Sequence, residues 1–249
     1  MSGSGSQLDR PRGGRWSRIL AIDVGGTGLK ASVLGERGRM LSPRVRVKTP
    51  DPCPPDVLLG QLADLVRPLS PFQCVAVGFP GMVRDGRVIT APNLGPAGEY
   101  AGVDLAGELS RALGKPVRVI NDAEMQGFGA IRGRGVELVV TFGTGVGTGL
   151  FDQGLVAPHL EIAHHPFRHG QTYEEQLGKQ ALKKVGRKTW NRRVEIAIET
   201  LRALVHFDHL YIGGGNAKKV TLKLGADATI VPNTDGLIGG VRLWNPRRP

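Results

Sequence analysis

The sequence predicts an α/β protein built from two similar lobes, and three observations carry that prediction. Strand and helix patterns alternate along most of the 249 residues. The segment ELVVTFGTGVGTGLFDQG at 137–154 repeats the plan of RILAIDVGGTGLKASVLGERG at 18–38: apolar strand, Gly/Thr turn, second strand, polar turn. A repeat half a chain apart points to two related units. After each glycine turn a strand returns, where a doubly wound fold would place a helix.

The elements follow in order. Residues 1–17 are rich in Gly, Ser, Pro and Arg and are expected to form a disordered tail. RILAIDV is a nearly continuous apolar run, as in a buried strand, and LKASVLG is its return. In MLSPRVRVKT, Val45 and Val47 alternate with arginines, as on a half-exposed strand. After the proline-rich PDPCPP, the stretch DVLLGQLADLVRPL carries Leu58, Leu62, Leu65 and Leu69 at helical spacing. CVAVGFPG is a buried strand ending in a glycine turn. GVDLAGELSRALG is a helix with Asp104 as N-cap and Gly114 as its stop. PVRVIND is a strand ending at Asn121 and Asp122. Beyond the second hairpin come two helices, YEEQLGKQALKKVG and TWNRRVEIAIETLRALVHF. The strand HLYIGGG then turns into NAKKVTLKLG, ATIVP is a last strand, and DGLIGGVRLW is a short closing helix. The expected division is a small lobe at 18–120, a large lobe at 121–235, and a closing helix and tail at 236–249 packing back on the first lobe.

Composition narrows the function classes. Hydrophobic residues at 40% and charged residues at 22% suit a globular protein with a real core. MSGSGSQLDRPRGGRW has no apolar run and is no signal peptide, and no stretch is long and apolar enough to span a membrane, so a cytoplasmic protein is expected. Two cysteines, Cys53 and Cys74, make no disulfide framework, and without a CxxC pair a zinc ribbon is excluded. A net charge of +11 favours polyanionic partners, either nucleic acid, an acidic membrane or a phosphate-rich ligand. Few aromatics and no reading motif speak against nucleic acid.

The glycine turns carry the chemistry. The Walker pattern GxxxxGK[ST] is absent, and GTGVG leads into a strand where a Rossmann turn leads into a helix. What remains is a hairpin whose backbone N–H groups can face a phosphate closely, with Thr27, Thr144 and Thr148 adding hydroxyl donors. One such hairpin is more often a plain tight turn. Two related ones, one per lobe, can grip a phosphate chain from both sides. Asp23, just before the first turn, then suits a Mg²⁺ ion between carboxylate and phosphate, since that ion prefers few protein carboxylates plus phosphate oxygens. The competing reading is a local turn cap. At the end of the PVRVIND strand, Asp122 is placed to accept a proton from an attacking hydroxyl, with Asn121 beside it as a hydroxyl ligand. Alone, the pair is more often turn chemistry.

In this order IDVGGTGLK, VGFPG, APNL, VINDAE, TFGTGVGTG, EIAH and YIGGG resemble the ROK sugar kinases, over roughly residues 18–245. The resemblance is strongest to the polyphosphate glucokinase subgroup. It implies the two-lobed actin/hexokinase-like (ribonuclease H-like) fold, with duplicated β-hairpin phosphate loops around a central cleft. It also implies phosphorylation of the 6-hydroxyl of glucose, with Mg²⁺ and with polyphosphate, ATP or both as donor. By this resemblance Asp122 is the catalytic base. Asn121, Asp122, Glu161, His164, Glu174, Gly81 and Asn93 hold the sugar. Asp23, Gly25, Gly26, Thr27 and Lys30 form the first phosphate loop and Thr144 and Gly145 the second, while Gly213, Gly214 and Gly215 form the nucleotide-side turn. A homodimer is implied on the same ground.

Several positions depart from the family pattern. Its zinc-binding cysteine cluster is missing from HHPFRHGQTYEEQ, so no zinc is expected, and His164, His165 and His169 read as surface or sugar contacts. Ala163 replaces the usual glycine of the acid-x-Gly-His motif. No helix-turn-helix precedes the first hairpin, which disfavours a repressor. Lys179, Lys183, Lys184 and Arg187 form a basic stretch in which Lys179, Lys183 and Arg187 share a helical face, and they are assigned to guiding polyphosphate. The competing reading is a solvated face. The alternatives are an ATP-only hexose or aminosugar kinase and a non-catalytic sugar-binding regulator.

Overall fold

In the computed structural model the first hairpin pairs β1 (Arg18–Gly25) with β2 (Gly28–Gly35) through a turn at Gly26 and Thr27, and β3 (Val45–Val47) extends the sheet beyond β2. The structure describes residues 15–69, 71–92, 94–96, 98–232 and 235–245. Next come α1 (Pro55–Val66), β4 (Cys74–Phe79), a small hairpin of β5 (Val83–Arg84) and β6 (Arg87–Val88), α2 (Leu105–Leu113), β7 (Val117–Asn121) and α3 (Asp122–Ala130). β4 lies parallel to β1 and β7 parallel to β4, giving the order β3-β2-β1-β4-β7.

The second half repeats this plan. β8 (Val136–Phe142) and β9 (Val146–Asp152) form its hairpin and β10 (Leu155–Val156) extends it. A small hairpin of β11 (Pro166–Arg168) and β12 (Gln171–Thr172), then α4 (Tyr173–Leu177) and α5 (Lys179–Val205), lead to the parallel strands β13 (His209–Gly213) and β14 (Ala228–Ile230) and to α6 (Asp235–Trp244). The sheet order, β10-β9-β8-β13-β14, mirrors the first.

Both faces of β1 are buried, which is why RILAIDV reads as continuous apolar sequence. Leu20, Ile22 and Val24 face α1 and α2, meeting Leu58, Leu62, Leu105 and Leu109. Ile19 and Ala21, one position out of phase, face Met125 of α3 and Leu237, Val241 and Trp244 of α6. Helices on both faces therefore follow from the period-2 pattern. α2 starts where expected, with the Asp104 carboxylate accepting from the Gly107 N–H at 3.1 Å, and stops at Gly114 in the left-handed region. In the second half, Leu138, Val140, Leu210 and Ile212 pack against Trp190, Val194 and Leu201 of α5. α3 rests on β9, β8 and β4, α6 rests on β1 and β4, and the two helices pack on each other.

The structure departs from the sequence reading in several places. α3 is a helix where only a strand end was expected. The tail does not run to residue 17: Trp16 is buried against Trp244, ring centroids 5.2 Å apart, and its backbone exchanges hydrogen bonds with the Asn245 side chain, while residues 1–14 of that expected tail lie outside the described residues. The helix expected over YEEQLGKQALKKVG breaks at Gly178, and α5 itself kinks at Gly186, whose φ of 75° no other residue adopts easily. Val45 and Val47 do lie on a half-exposed strand, of which only three residues pair with β2. Among the described residues no helix is long and apolar enough to cross a membrane.

Candidate active site

The two glycine hairpins and the N-terminus of α3 open into one cleft of about 250 Å³ between the sheets. From the first hairpin come Asp23, Gly25, Gly26, Thr27 and Lys30, and from the second Thr144 and Gly145. Asn121 and Asp122 enter from the β7–α3 junction, with Gly81 beside them. Glu161, His164 and Glu174 enter from the segment after β10, and Gly214 and Gly215 from the turn after β13. Fifteen of the assigned residues thus meet in one place. Gly213 does not line the cleft: it closes β13 with its Cα against the Gln126 side chain, where a Cβ would strike the amide. Asn93 lies outside the described residues.

The acid before the first turn has a partner. Asp23 and Lys30 face each other in the β1–β2 register, and Lys30 Nζ stands 2.6 Å from Asp23 Oδ2. Each side chain is 27% exposed toward the cleft, so lysine and carboxylate are presented together to whatever enters. Among the described residues no group of three or more His, Cys, Asp and Glu could hold a metal on its own. The Asp23 carboxylate beside the first phosphate-type loop fits the other mode of Mg²⁺ binding, in which the donor's phosphate oxygens supply most ligands.

Asp122 is the first residue of α3, and Asn121 is its N-cap. Asn121 Oδ1 accepts from the Ala123 and Glu124 N–H groups, at 2.8 and 3.3 Å, while Glu124 Oε2 accepts from the Asn121 N–H at 3.3 Å. This capping box locks the turn that aims Asp122. Asn121 Nδ2 donates to the Gly81 carbonyl at 3.1 Å, which leaves one amide hydrogen for a ligand. Gly81 has no room for a side chain, because a Cβ would overlap the Thr90 carbonyl oxygen. Burial pushes the Asp122 carboxyl up to about 7, and the charges of Asp23 and Glu161 push the same way against the Ala123 N–H.

Glu174 lies against the second loop. A Cβ on Gly145 would collide with its Oε2 and lie 2.9 Å from its Cδ, so a side chain there would have to displace the Glu174 carboxylate. Thr148 is not a phosphate donor, since its hydroxyl proton goes to the Leu160 carbonyl. The three histidines diverge: His164 lines the cleft, His165 Nδ1 turns to the Pro166 carbonyl at 2.8 Å, and His169 Nε2 accepts from Arg168 at 3.0 Å.

The basic stretch lies outside the cleft, and the kink at Gly186 removes Arg187 from the face that carries Lys179 and Lys183. Arg187 Nε instead donates to the Lys219 carbonyl at 3.0 Å. Lys179 stands next to the second loop, its N–H donating to the Thr144 carbonyl at 3.1 Å, and Lys183 and Lys184 are exposed.

Sequence reading missed two residues of the site, Glu124 and His159. Glu124 had a local signal in the N-x-x-E spacing of its capping box. His159 had none, because its partner Glu124 is 35 positions away.

Comparison with known proteins places this geometry. The profile of the ROK family matches residues 19–158, which span both glycine hairpins and α3. The chain is 27% identical to polyphosphate glucokinase of Mycobacterium tuberculosis over 258 residues, 96% of each chain. It is 35% identical to N-acetylmannosamine kinase of Shigella flexneri over 141 residues, 55% of this chain and 48% of that one. The structure superimposes on the inorganic polyphosphate/ATP-glucomannokinase of Arthrobacter sp. strain KM with a TM-score of 0.81 and 28% identity, covering 92% of this chain and 98% of that one. The fold is the two-lobed actin/hexokinase-like α/β fold, and the chain belongs to the ROK family.

Proposed function

We propose that this ROK-family sugar kinase phosphorylates the 6-hydroxyl of glucose, taking the phosphoryl group from inorganic polyphosphate, ATP or both. The observation that carries the reading is Asp122, a carboxyl with affinity for a proton near pH 7, standing between two glycine hairpins. A general base works best with its pKa near the operating pH. The sugar is held by Glu161, His164, Glu174 and the remaining amide hydrogen of Asn121, with Gly81 orienting that amide and Asn93 assigned to the same set. Asp122 takes the proton of the 6-hydroxyl as its oxygen bonds to phosphorus and the donor's bridging P–O bond breaks. Backbone N–H groups of both hairpins, with Thr27, Thr144 and Lys30, face the donor's phosphates, and Gly214 and Gly215 border a nucleotide when ATP is the donor. Asp23 is the residue that would hold Mg²⁺, whose contribution when bound is to neutralise phosphate charge. Most of the rate then comes from positioning and electrostatics.

Polyphosphate is favoured as a donor by the two relatives matched over nearly the whole chain and by the net charge of +11. The aminosugar alternative rests on the shorter match to N-acetylmannosamine kinase. A coupled assay for glucose 6-phosphate decides: turnover with polyphosphate is expected, and no product with either polyphosphate or ATP would refute the glucokinase reading. Lys179, Lys183, Lys184 and Arg187 are proposed to lead a long donor to the second loop; Arg187 spends one N–H on the Lys219 carbonyl and keeps its charge and its other donors. The double variant Lys183→Glu, Lys184→Glu is expected to raise KM for long polyphosphate about three- to tenfold and to leave KM for ATP unchanged. Equal KM values for long chains in variant and wild type would remove that role.

A further inference from the structure

Behind the cleft lies a second cavity of about 570 Å³, lined by Val83, Ala106, Val119, Val156 and Pro158. Glu124 and His159 line it as well. The imidazole is 7% exposed and stands between two carboxylates. Its Nδ1 lies 2.7 Å from Glu124 Oε1 on α3, and its Nε2 lies 3.5 Å from Glu161 Oε2, which reaches into the cleft. The far oxygens of both acids are also committed. Glu124 Oε2 accepts from the Asn121 N–H at 3.3 Å, and Glu161 Oε1 accepts from the Ala163 N–H at 2.9 Å.

A chain of hydrogen bonds therefore runs from Glu161 through His159 and Glu124 to the backbone of Asn121, whose neighbour is Asp122. We propose that His159 is a positioning residue, whose two ring N–H groups fix Glu161 relative to the helix turn that carries Asp122. This rests on reading the cleft as a sugar site. Two carboxylates accept, and neither can donate while ionised, so the ring that satisfies both is the doubly protonated one. Its titration agrees with the geometry. The hydrogen bonds to Glu124 and then Glu161 push His159 up to about 9 against its burial. Burial pushes the Glu161 carboxyl up, but the hydrogen bonds from His159 and Ala163 outweigh it and hold that carboxyl below its ordinary value. Without the cation, Glu124 and Glu161 would face each other as uncompensated like charges. Glu161 would keep only the Ala163 N–H as its anchor.

His159→Ala in the full chain is expected to raise KM for glucose about tenfold, with kcat at saturating glucose within about threefold and donor KM unchanged. The space it leaves adjoins the second cavity, which gives a small molecule a way in. Imidazole at about 50 mM is expected to restore most of the glucose KM of this variant and to leave the wild type unaffected. His159→Gln keeps the volume without the charge, and a raised glucose KM is expected there too. Should His159→Ala fail to fold, the Gln variant decides. An unchanged glucose KM in either variant, or a raised KM in the Ala variant that imidazole does not lower, would overturn the proposal. Wild-type protein without turnover would instead strike the kinase reading itself.

Discussion

Asp122→Asn is expected to lower kcat by about 10³- to 10⁴-fold while calorimetry finds glucose binding within about threefold of wild type, since a positioned general base contributes on this scale. Turnover within tenfold of wild type would refute the assignment of the base. The same carboxyl sets a pH dependence. A base must be deprotonated to act, so kcat/KM should be level above pH 7 and fall about tenfold per unit below it, following a carboxyl near 7. An ordinary aspartate would leave the profile flat down to about pH 4. The linked effect on stability has the opposite sense. The folded state holds the proton more tightly than the unfolded chain, so this group's contribution is full below about pH 4 and is lost as pH rises to 7. At pH 8 the native protein carries an ionised carboxylate in poor solvation beside Asp23, and Asn should relieve it. A rise in Tm of at least about 2–4 °C at pH 8, shrinking as the pH falls toward 4, is the expected signature.

Gly239→Ala should damage the fold more than any other single methyl. At this position α6 crosses α3 with backbone against backbone. An added Cβ would overlap the Met125 carbonyl oxygen and lie 2.7 Å from its carbon and 3.1 Å from the Gly129 nitrogen. Neither helix can yield without lifting Leu237, Val241 and Trp244 from Ile19, Ala21 and Cys74. A loss of at least about 3 kcal/mol is expected, read as a fall in Tm of about 6–12 °C or as loss of soluble protein. Gly236, one turn earlier, has nothing within 4 Å of a Cβ. Gly236→Ala should therefore melt at or above the wild-type temperature, since alanine favours a helix by up to about 1 kcal/mol. Equal melting of the two variants would show that α3 and α6 do not meet as closely as described.

What the sequence discloses about this fold is mostly what is local. Each hairpin is readable because two apolar strands flank a glycine turn, and the turn at Gly26 and Thr27 fixes Asp23 opposite Lys30 by counting alone. The ion pair is therefore legible in the sequence from the hairpin register. α3 was hidden for a physical reason. Six successive residues, Ala123 to Phe128, are buried, so the helix has no polar stripe and no period of 3.6 to find. Its one local mark is the capping box. Trp16 was read with the glycines and arginines around it, and nothing nearby announces Trp244. The face assigned to Lys179, Lys183 and Arg187 presumed an unbroken helix, which Gly186 does not allow. Long-range pairs such as Glu124 with His159 leave no trace in spacing at all.

One arrangement in the fold reaches further than the cleft. α3 leaves the first sheet at β7 and yet covers β8 and β9 of the second, while α6 follows the last strand of the second sheet and covers β1 and β4 of the first. Each half lends its final helix to the other, as two subunits do in a swapped dimer, but here within one chain. Without α6, the first half would expose Ile19, Ala21, Cys74 and Ala76, all of which are fully buried. The two sheets thus flank one cleft without being independent packing units, because each needs a helix from the other half of the chain to cover it.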